Sequence, residues 1–572
     1  MKESKAVQKT ETASWEQLPW RKLEQHVYRI QKRIYRASES GNLKKVHSLQ
    51  KLLTRSHAAR LLATRRVTQD NDGKKTAGVD GIKKVEPHLR LEMAETIHPK
   101  QWKNQQVPPV RRVWIPKPGK PEKRPLGIPT MRERAKQALV KMGLEPQWEA
   151  LFETRSHGFR PGRGCWDAIE DITNWICKKS KYVLDADIKG CFDNINHHHL
   201  LKKLKTTSEN RRLIKQWLKA GALDKETFTP TEAGTPQGGV ISPLLANIAL
   251  HGMQEEVESK VKGAALIRYA DDFVVLHEER AKVEQAQEVV ERWLEGIGLH
   301  LSPTKTKIVH TLQTGFDFLG FNVRQYAAGK HRTAKGPNGE LLGFKTLIKP
   351  SKESQKQHVR KMKETIRSLR GHPQNHVIAE LNPIIKGWAN YYRTKVSKKT
   401  FCTMDHILWY QLYQWVCWNN PRKGMKHNTQ KYWQTRNGRK WVFATEEATM
   451  VQHVNVAIKR HWKVRGPASP YDGNWKYWSR RLQDHPMLVS EKAYLLRQQK
   501  GKCRRCGLYF KDSDVVEVDH LFPLSLGGTN DRTNKQALHR HCHDQKTAED
   551  RSYKLKLEAE VSQKETAKRG AV

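Results

Sequence analysis

No stretch of this sequence approaches the roughly 18–20 consecutive apolar residues that cross a bilayer, and the opening MKESKAVQKTETASWEQ lacks the apolar core of a secretory signal. Membrane insertion and secretion are therefore not expected. Cysteine is sparse: of eight, Cys165, Cys177, Cys191, Cys402 and Cys417 stand singly, and only Cys503, Cys506 and Cys542 have ligand-like spacing. That argues against a disulfide scaffold and for a reducing compartment, the cytoplasm. Acidic residues are outnumbered, 59 against 105 basic ones, which gives a formal charge of +46 spread along the whole chain. A polyanionic partner is implied, and with no amphipathic anchor or lipidation motif a membrane surface is the weaker candidate. Internal repeats and extended low-complexity tracts are also lacking. At 572 residues the chain exceeds a single core and is expected to divide into two to four units.

Residues 15–66 read as helix, because Trp20, Leu23, Val27, Ile30 and Ile34 recur at steps of three and four. From about 107 to 325, β-rich runs (RRVWIP, KYVLDADI, ALIRYA, DFVVLHE) alternate with helical stretches, and PKPGKPEKRPLGIP marks a turn region. An α+β catalytic body is predicted there. Beyond Pro350 the strand signal fades, and residues 351–400 carry twelve Lys or Arg against three Glu in a helical pattern. Nine of the eighteen tryptophans then fall between Trp388 and Trp478 among basic residues, and the composition turns Cys/His/Asp/Asn-rich from about 490 to 550.

The most specific feature is Tyr269-Ala270-Asp271-Asp272 between two apolar runs, which reads as two strands joined by a tight turn bearing paired carboxylates. Such a pair is costly unless cations neutralise it. Nucleotidyl transfer supplies the reason, since two Mg²⁺ ions about 4 Å apart stabilise the attacking 3′ oxygen and the leaving pyrophosphate. A second acidic strand is then required, and Val183-Leu184-Asp185-Ala186-Asp187-Ile188 provides it. Strand alternation puts Asp185 and Asp187 on one side, so spacing does not choose between them.

Near the C-terminal end, Cys503-x-x-Cys506 and His539-x-x-Cys542 are two pairs separated by 32 residues, the arrangement of a structural Zn²⁺ site with three thiolates and one imidazole. Between and after them lie Asp519-His520, Gly527-Gly528, Asn534 and His543. Upstream, Gly387-Trp388-Ala389-Asn390-Tyr391-Tyr392-Arg393 offers planar rings for bases and a cation for phosphate. A packed aromatic helix is the alternative for any one of these residues.

Taken in order, the motifs resemble the group II intron-encoded reverse transcriptases over nearly the whole chain. They run from Ala77-Gly78-Val79-Asp80-Gly81 through Arg124-Pro125-Leu126-Gly127-Ile128-Pro129, Gly158-Phe159-Arg160-Pro161-Gly162-Arg163 and the Asp187–Asp193 run. Thr235-Pro236-Gln237-Gly238-Gly239 with Ser242-Pro243, the Tyr-Ala-Asp-Asp turn, Lys305 and Phe318-Leu319-Gly320-Phe321 follow. The resemblance implies a multidomain protein: an α+β right-hand polymerase of fingers, palm and thumb, an α-helical maturase segment, and a small ββα-metal HNH nuclease with a zinc knuckle. It implies a helical extension and the start of the fingers at 1–105, fingers and palm at 106–345, thumb and maturase at 346–450, a DNA-binding segment at 451–489, the nuclease at 490–550 and a basic tail at 551–572.

The same resemblance selects Asp187, with Asp271 and Asp272, as the Mg²⁺-binding triad. Phe192 would exclude a 2′-hydroxyl, Gln237 would line the template and nucleotide pocket, Lys305 would neutralise or protonate the pyrophosphate, and Arg124 would hold the triphosphate. Trp388, Tyr391, Tyr392 and Arg393 would contact the intron RNA. The terminal unit looks like an HNH motif, with His520 the general base, Asp519 and His543 holding one Mg²⁺, and Asn534 orienting the histidine, Asn530 being the alternative. His539 stands where cysteine is common, and zinc accepts either ligand. The implied partners are intron RNA, target DNA and dNTPs; oligomeric state is not readable. The competing expectation is a splicing cofactor or a DNA endonuclease with a vestigial polymerase.

Overall fold

The computed structural model describes residues 14–569 apart from 104, 117–120, 437, 489, 512 and 513. Most of the polar opening segment, part of the Pro/Gly-rich turn and the last three residues of the basic tail thus lie outside the described residues. The helical signal of 15–66 resolves into three helices, Trp20–Glu39, Leu43–Arg55 and His57–Arg65. The first break is local chemistry: Gly41 adopts φ +71°, and the Asn42 side chain accepts from the Lys45 amide as an N-cap. Trp20, Val27, Ile30 and Ile34 are buried, as their spacing requires, and the first three helices pack on the helix Met131–Glu149.

Among the described residues the strands form five sheets. In chain order they are β1 Val110–Pro116, β2 Lys123–Ile128, β3 Tyr182–Asp187, β4 Ala222–Asp224, β5 Thr227–Thr229, β6 Ala265–Tyr269, β7 Asp272–His277 and β8 Lys307–His310. Then follow β9 Phe316–Phe318, β10 Phe321–Ala327, β11 Phe344–Pro350, β12 Trp433–Arg436, β13 Arg439–Phe443, β14 Val516–His520 and β15 Lys535–His539. The central sheet has the order β6-β7-β3-β8, antiparallel throughout. Helices Cys165–Ile176 and Arg280–Glu295 pack on it, which buries β6 and β7 almost end to end and leaves the acidic end of β3 at the surface of a cleft.

After β11 the chain becomes helical as expected, with Lys352–Ser368, Gln374–Tyr392 and Lys398–Asn419, although the hairpin β12–β13 follows in a region where no strand is predicted. The apolar interior divides accordingly. One cluster joins the N-terminal helices to the central sheet, a second joins that sheet to Ala389, Tyr392 and Phe401, a third fills the helices from Met362 to Met450, and a fourth lies between Leu482 and Cys542. No described helix is long and apolar enough to cross a membrane.

Candidate active sites

The register of the central sheet places Asp187 opposite Asp272, while Tyr269 faces Asp272 across the β6–β7 hairpin, leaving Ala270 and Asp271 as the turn. Ala270 holds φ +59° there. This left-handed conformation is uncommon for a residue with a Cβ, and it is held from both sides. The guanidinium of Arg268, only 2% exposed, donates to the Ala270 carbonyl at 3.1 Å and to Oδ1 of Asn247 at 3.0 Å. Asn247 in turn donates to the Gly158 carbonyl at 2.8 Å. Gly158 lies so close to the turn that a Cβ would come within 2.3 Å of the Ala270 nitrogen, so this position requires glycine. Neither Arg268 nor Asn247 is identified by the sequence reading; the only available signal was a lone polar residue in each of two apolar runs, ALIRYA and LLANIAL.

The three acids open onto a cleft of about 700 Å³ that Arg124, Phe159, Phe192, Gln237 and Lys305 also line. Burial pushes the Asp272 carboxyl up to about 7, with the neighbouring Asp271 charge and a hydrogen bond to Asp187 adding to it. Burial also raises Asp271, and the Asp187 charge adds to the effect. A carboxyl group crowded in this way demands cations. Lys305 meets part of the demand, its Nζ lying 2.6 Å from Oδ2 of Asp187, and the donor set, carboxylate oxygens on two facing strands, suits divalent ions. Asp185, the alternative that spacing leaves open, pairs instead with Lys307 at 3.4 Å and does not line the cleft. Burial lifts its carboxyl to about 6.

Two further elements shape the cleft. The loop before the helix Ser242–Leu250 is tied to Phe192, whose carbonyl accepts from the Thr235 amide at 2.6 Å. The Gln237 amide donates to both oxygens of Asp193 at 3.1 Å. Phe159, at φ +57°, meets the Phe192 ring edge-on with centroids 6.0 Å apart.

In the C-terminal unit, β14 and β15 pair from Val516↔His539 to His520↔Lys535, and the helix Arg540–Arg569 follows directly. Cys503, Cys506, His539 and Cys542 are all buried, with ligand atoms within 4.8 Å of one another. That separation fits a tetrahedral ion with bonds of about 2.0–2.3 Å, and the donor set is that of structural zinc. His539 points Nδ1 at Cys506 Sγ (3.3 Å) and Nε2 at Asp514 (3.2 Å), so Asp514, absent from the sequence reading, supplies the carboxylate that fixes the imidazole. At the far end of the hairpin, Asp519 Oδ1 lies 3.9 Å from His543 Nε2, and Asp519 is also held by Gln536 at 3.0 Å and Lys546 at 3.3 Å.

The asparagines differ from expectation. Asn534 does not meet His520; its side chain bonds the Phe522 amide and carbonyl at 2.9 Å and the Thr529 carbonyl at 2.7 Å, which closes the loop after His520. The side chain beside His520 Nε2 is Asn530, at 3.2 Å.

Of the residues expected to contact RNA, Tyr392 is buried, and Trp388, Tyr391 and Arg393 are half-buried and held by contacts within the protein. Trp388 stacks on His358 at 4.4 Å and donates to Ser354, Tyr391 donates to the Leu319 carbonyl at 2.9 Å, Tyr392 is buried against Ser354, and Arg393 donates to the Ala457 carbonyl and to Asn390. They join the central sheet to the helices that follow it. The physical reason is packing: Tyr391 and Tyr392 meet the Phe321 ring of β10 at centroid distances of 5.4 and 4.8 Å, so the aromatic end of the helix Gln374–Tyr392 fills the junction.

Comparison with known proteins agrees with this division. Four family signatures match: "N-terminal domain of reverse transcriptase" at 15–97, "Reverse transcriptase (RNA-dependent DNA polymerase)" at 115–323, "Group II intron, maturase-specific domain" at 355–433 and "HNH endonuclease" at 503–549. Protein YkfC of Escherichia coli (strain K12) is 33% identical over 297 residues, covering 45% of this chain and 77% of that one. Group II intron-encoded protein LtrA of Lactococcus lactis subsp. cremoris is 38% identical over 181 residues, 31% of this chain and 30% of LtrA. A 91 kDa protein in the cob intron of Schizosaccharomyces pombe is 30% identical over 377 residues, 52% of this chain and 45% of the relative. The last two alignments thus span less than half of those relatives' length. A reverse transcriptase domain, a maturase-specific domain and an HNH endonuclease domain stand in one polypeptide. The chain belongs to the group II intron reverse transcriptase/maturase family.

Proposed function

We propose that the protein copies its intron RNA into DNA at a nicked DNA target, assists splicing of that RNA, and makes the nick itself. The observation that carries this reading is the facing of Asp187 and Asp272 beside Asp271, in a cleft shared with Phe192, Gln237 and Lys305, on the same chain as a ββα unit bearing Asp519, His520 and His543. In this reading β3, β6, β7 and β8 are the palm, β1 and β2 belong to the fingers, and the helices from Lys352 onward are the thumb. Asp187, Asp271 and Asp272 hold two Mg²⁺ ions, which stabilise charge on the attacking and leaving oxygens. Phe192 packs under the sugar, Gln237 supports the nucleotide pocket, and Arg124 and Lys305 meet the triphosphate.

In the nuclease, His520 takes the proton from water, Asp519 and His543 hold one Mg²⁺, and Cys503, Cys506, His539 and Cys542 hold zinc. Contact with intron RNA fits the outer face of the maturase-specific domain, where Tyr410 and Trp418 are about half exposed, better than the half-buried 388–393 segment, whose polar atoms already bond within the protein. A DNA target and cysteines that mostly stand singly support work inside the cell, in the cytoplasm.

The test is dNTP incorporation on an RNA template with a DNA primer and Mg²⁺, beside Asp271→Ala. Synthesis lost in the variant supports the reading. A folded wild type that binds structured RNA but incorporates nothing would leave a splicing cofactor as the answer.

A further inference from the structure

The residues from His461 to Arg481, part of the 451–489 stretch for which the resemblance implies DNA binding, also grip the polymerase body. The helix Cys165–Ile176 carries two acids, Asp167 and Asp171, each 1% exposed. Two buried carboxylates without cations would be prohibitive, and the cations come from far along the chain. Lys463 pairs with Asp171. Arg481 reaches Asp167 at 3.1 Å, His461 lies 3.2 Å from it, and the Val464 amide donates to it at 2.8 Å.

The other oxygen of Asp171 lies 2.8 Å from Nε2 of His157, whose amide donates to the Arg268 carbonyl at 2.9 Å. Gly158 comes next and touches the Ala270 turn; Phe159 follows and faces Phe192. At the loop's far end, Trp478 presses on Gly162, where a Cβ would meet its ring at 2.3 Å. Arg163 donates to the Gly466 carbonyl at 2.9 Å. The loop Gly158–Arg163 is therefore held between the acidic turn on one side and the 461–481 segment on the other.

We infer that Lys463 is a positioning residue for the polymerase site, acting through Asp171 and His157 on the loop that sets Gly158 against the Ala270 turn and Phe159 against Phe192. The inference rests on the polymerase reading above. Its signature is nucleotide selectivity, because a shift of Phe159 changes the wall of the pocket that meets the sugar, and displacements of about 1 Å at such walls cost about 10- to 100-fold in rate.

The experiment uses the full-length protein, with kcat and KM measured separately for a dNTP and for the matching ribonucleotide on an RNA template. In Lys463→Met, kcat/KM for the dNTP is expected to fall about 10- to 100-fold, the preference for dNTP over ribonucleotide to shrink, and Lys463→Arg to restore both. Because Lys463→Met strands a buried charge, the double variant Asp171→Asn/Lys463→Met carries the same test without one. Wild-type kinetics and selectivity in either folded variant would overturn the inference. Loss of the fold in both would overturn it too, since the segment would then be holding the body together rather than aligning the site. Failure of the wild type to incorporate dNTP would instead refute the polymerase reading.

Discussion

Asp187 and Asp272 sit directly opposite one another on neighbouring antiparallel strands, a pairing of like charges that a sheet tolerates only with compensation. The consequence is measurable without catalysis. Asp272, lifted to about 7 by burial first and its acidic neighbours second, keeps its proton when folded at pH values where the unfolded chain, with a carboxyl near about 3.9, has lost it. Ionisation then weakens the fold. Without divalent cations, melting temperature should therefore decline as pH rises from the ordinary carboxyl range through about 7. Asp272→Asn should flatten that decline, and Mg²⁺ should raise the high-pH melting temperature of the wild type more than that of the variant. A wild-type curve flat across this window would count against the crowding.

Arg268→Met removes the guanidinium bonds to the Ala270 carbonyl of the acidic turn and to Asn247 Oδ1, and leaves both acceptors without that donor. A loss on the order of 3 kcal/mol is expected from two buried charge-assisted bonds, read as a lower denaturant midpoint, together with a fall in dNTP incorporation that saturating nucleotide does not restore. Normal turnover in a destabilised variant would separate the turn's geometry from its activity.

Cys506→Ser opens the cluster formed with Cys503, His539 and Cys542. Since the ion's binding free energy is part of the unit's folding free energy, zinc content should drop from about one per chain to none. Limited proteolysis should then reach the residues between Leu496 and Cys542, and target nicking should vanish while dNTP incorporation persists. Unchanged zinc content would remove the cluster from consideration as a metal site.

Asn534→Ala cuts three bonds that close the loop after His520, whereas Asn530→Ala cuts a single side-chain contact to His520. At about 1 kcal/mol for each bond, the first variant should slow nicking more than the second, by roughly 10-fold or more against a few-fold. The reverse order would assign the orienting role to Asn530.

The acidic hairpin turn and the Cys/His cluster were legible in the sequence because local rules decide them, whereas the choice of Asp187 over Asp185 came only from the resemblance. A two-residue turn between apolar runs places Asp271 and Asp272, and Cys503-x-x-Cys506 and His539-x-x-Cys542 each fix a ligand pair within a few residues, while alternation in VLDAD puts Asp185 and Asp187 on one side without choosing between them. Partners distant in the chain were not legible. Nothing near Asp171 announces that its cation is Lys463, and Arg268 in an apolar strand signals a buried network without naming Asn247. The aromatic segment around Trp388 shows a different limit: composition says that rings cluster, while packing decides whether they face solvent or the neighbouring sheet.

The helix Trp20–Glu39 is touched by the nuclease unit: Glu24 lies 3.4 Å from His541, and Lys511 sits over the Tyr28 ring at 5.1 Å. A ribosome adding about 5–20 residues each second needs on the order of 25 to 100 s to travel from Glu24 to His541. Throughout that interval the helix face that will receive the nuclease stands without those contacts, so whatever else meets Glu24 and Tyr28 in the nascent chain must give way when the nuclease arrives.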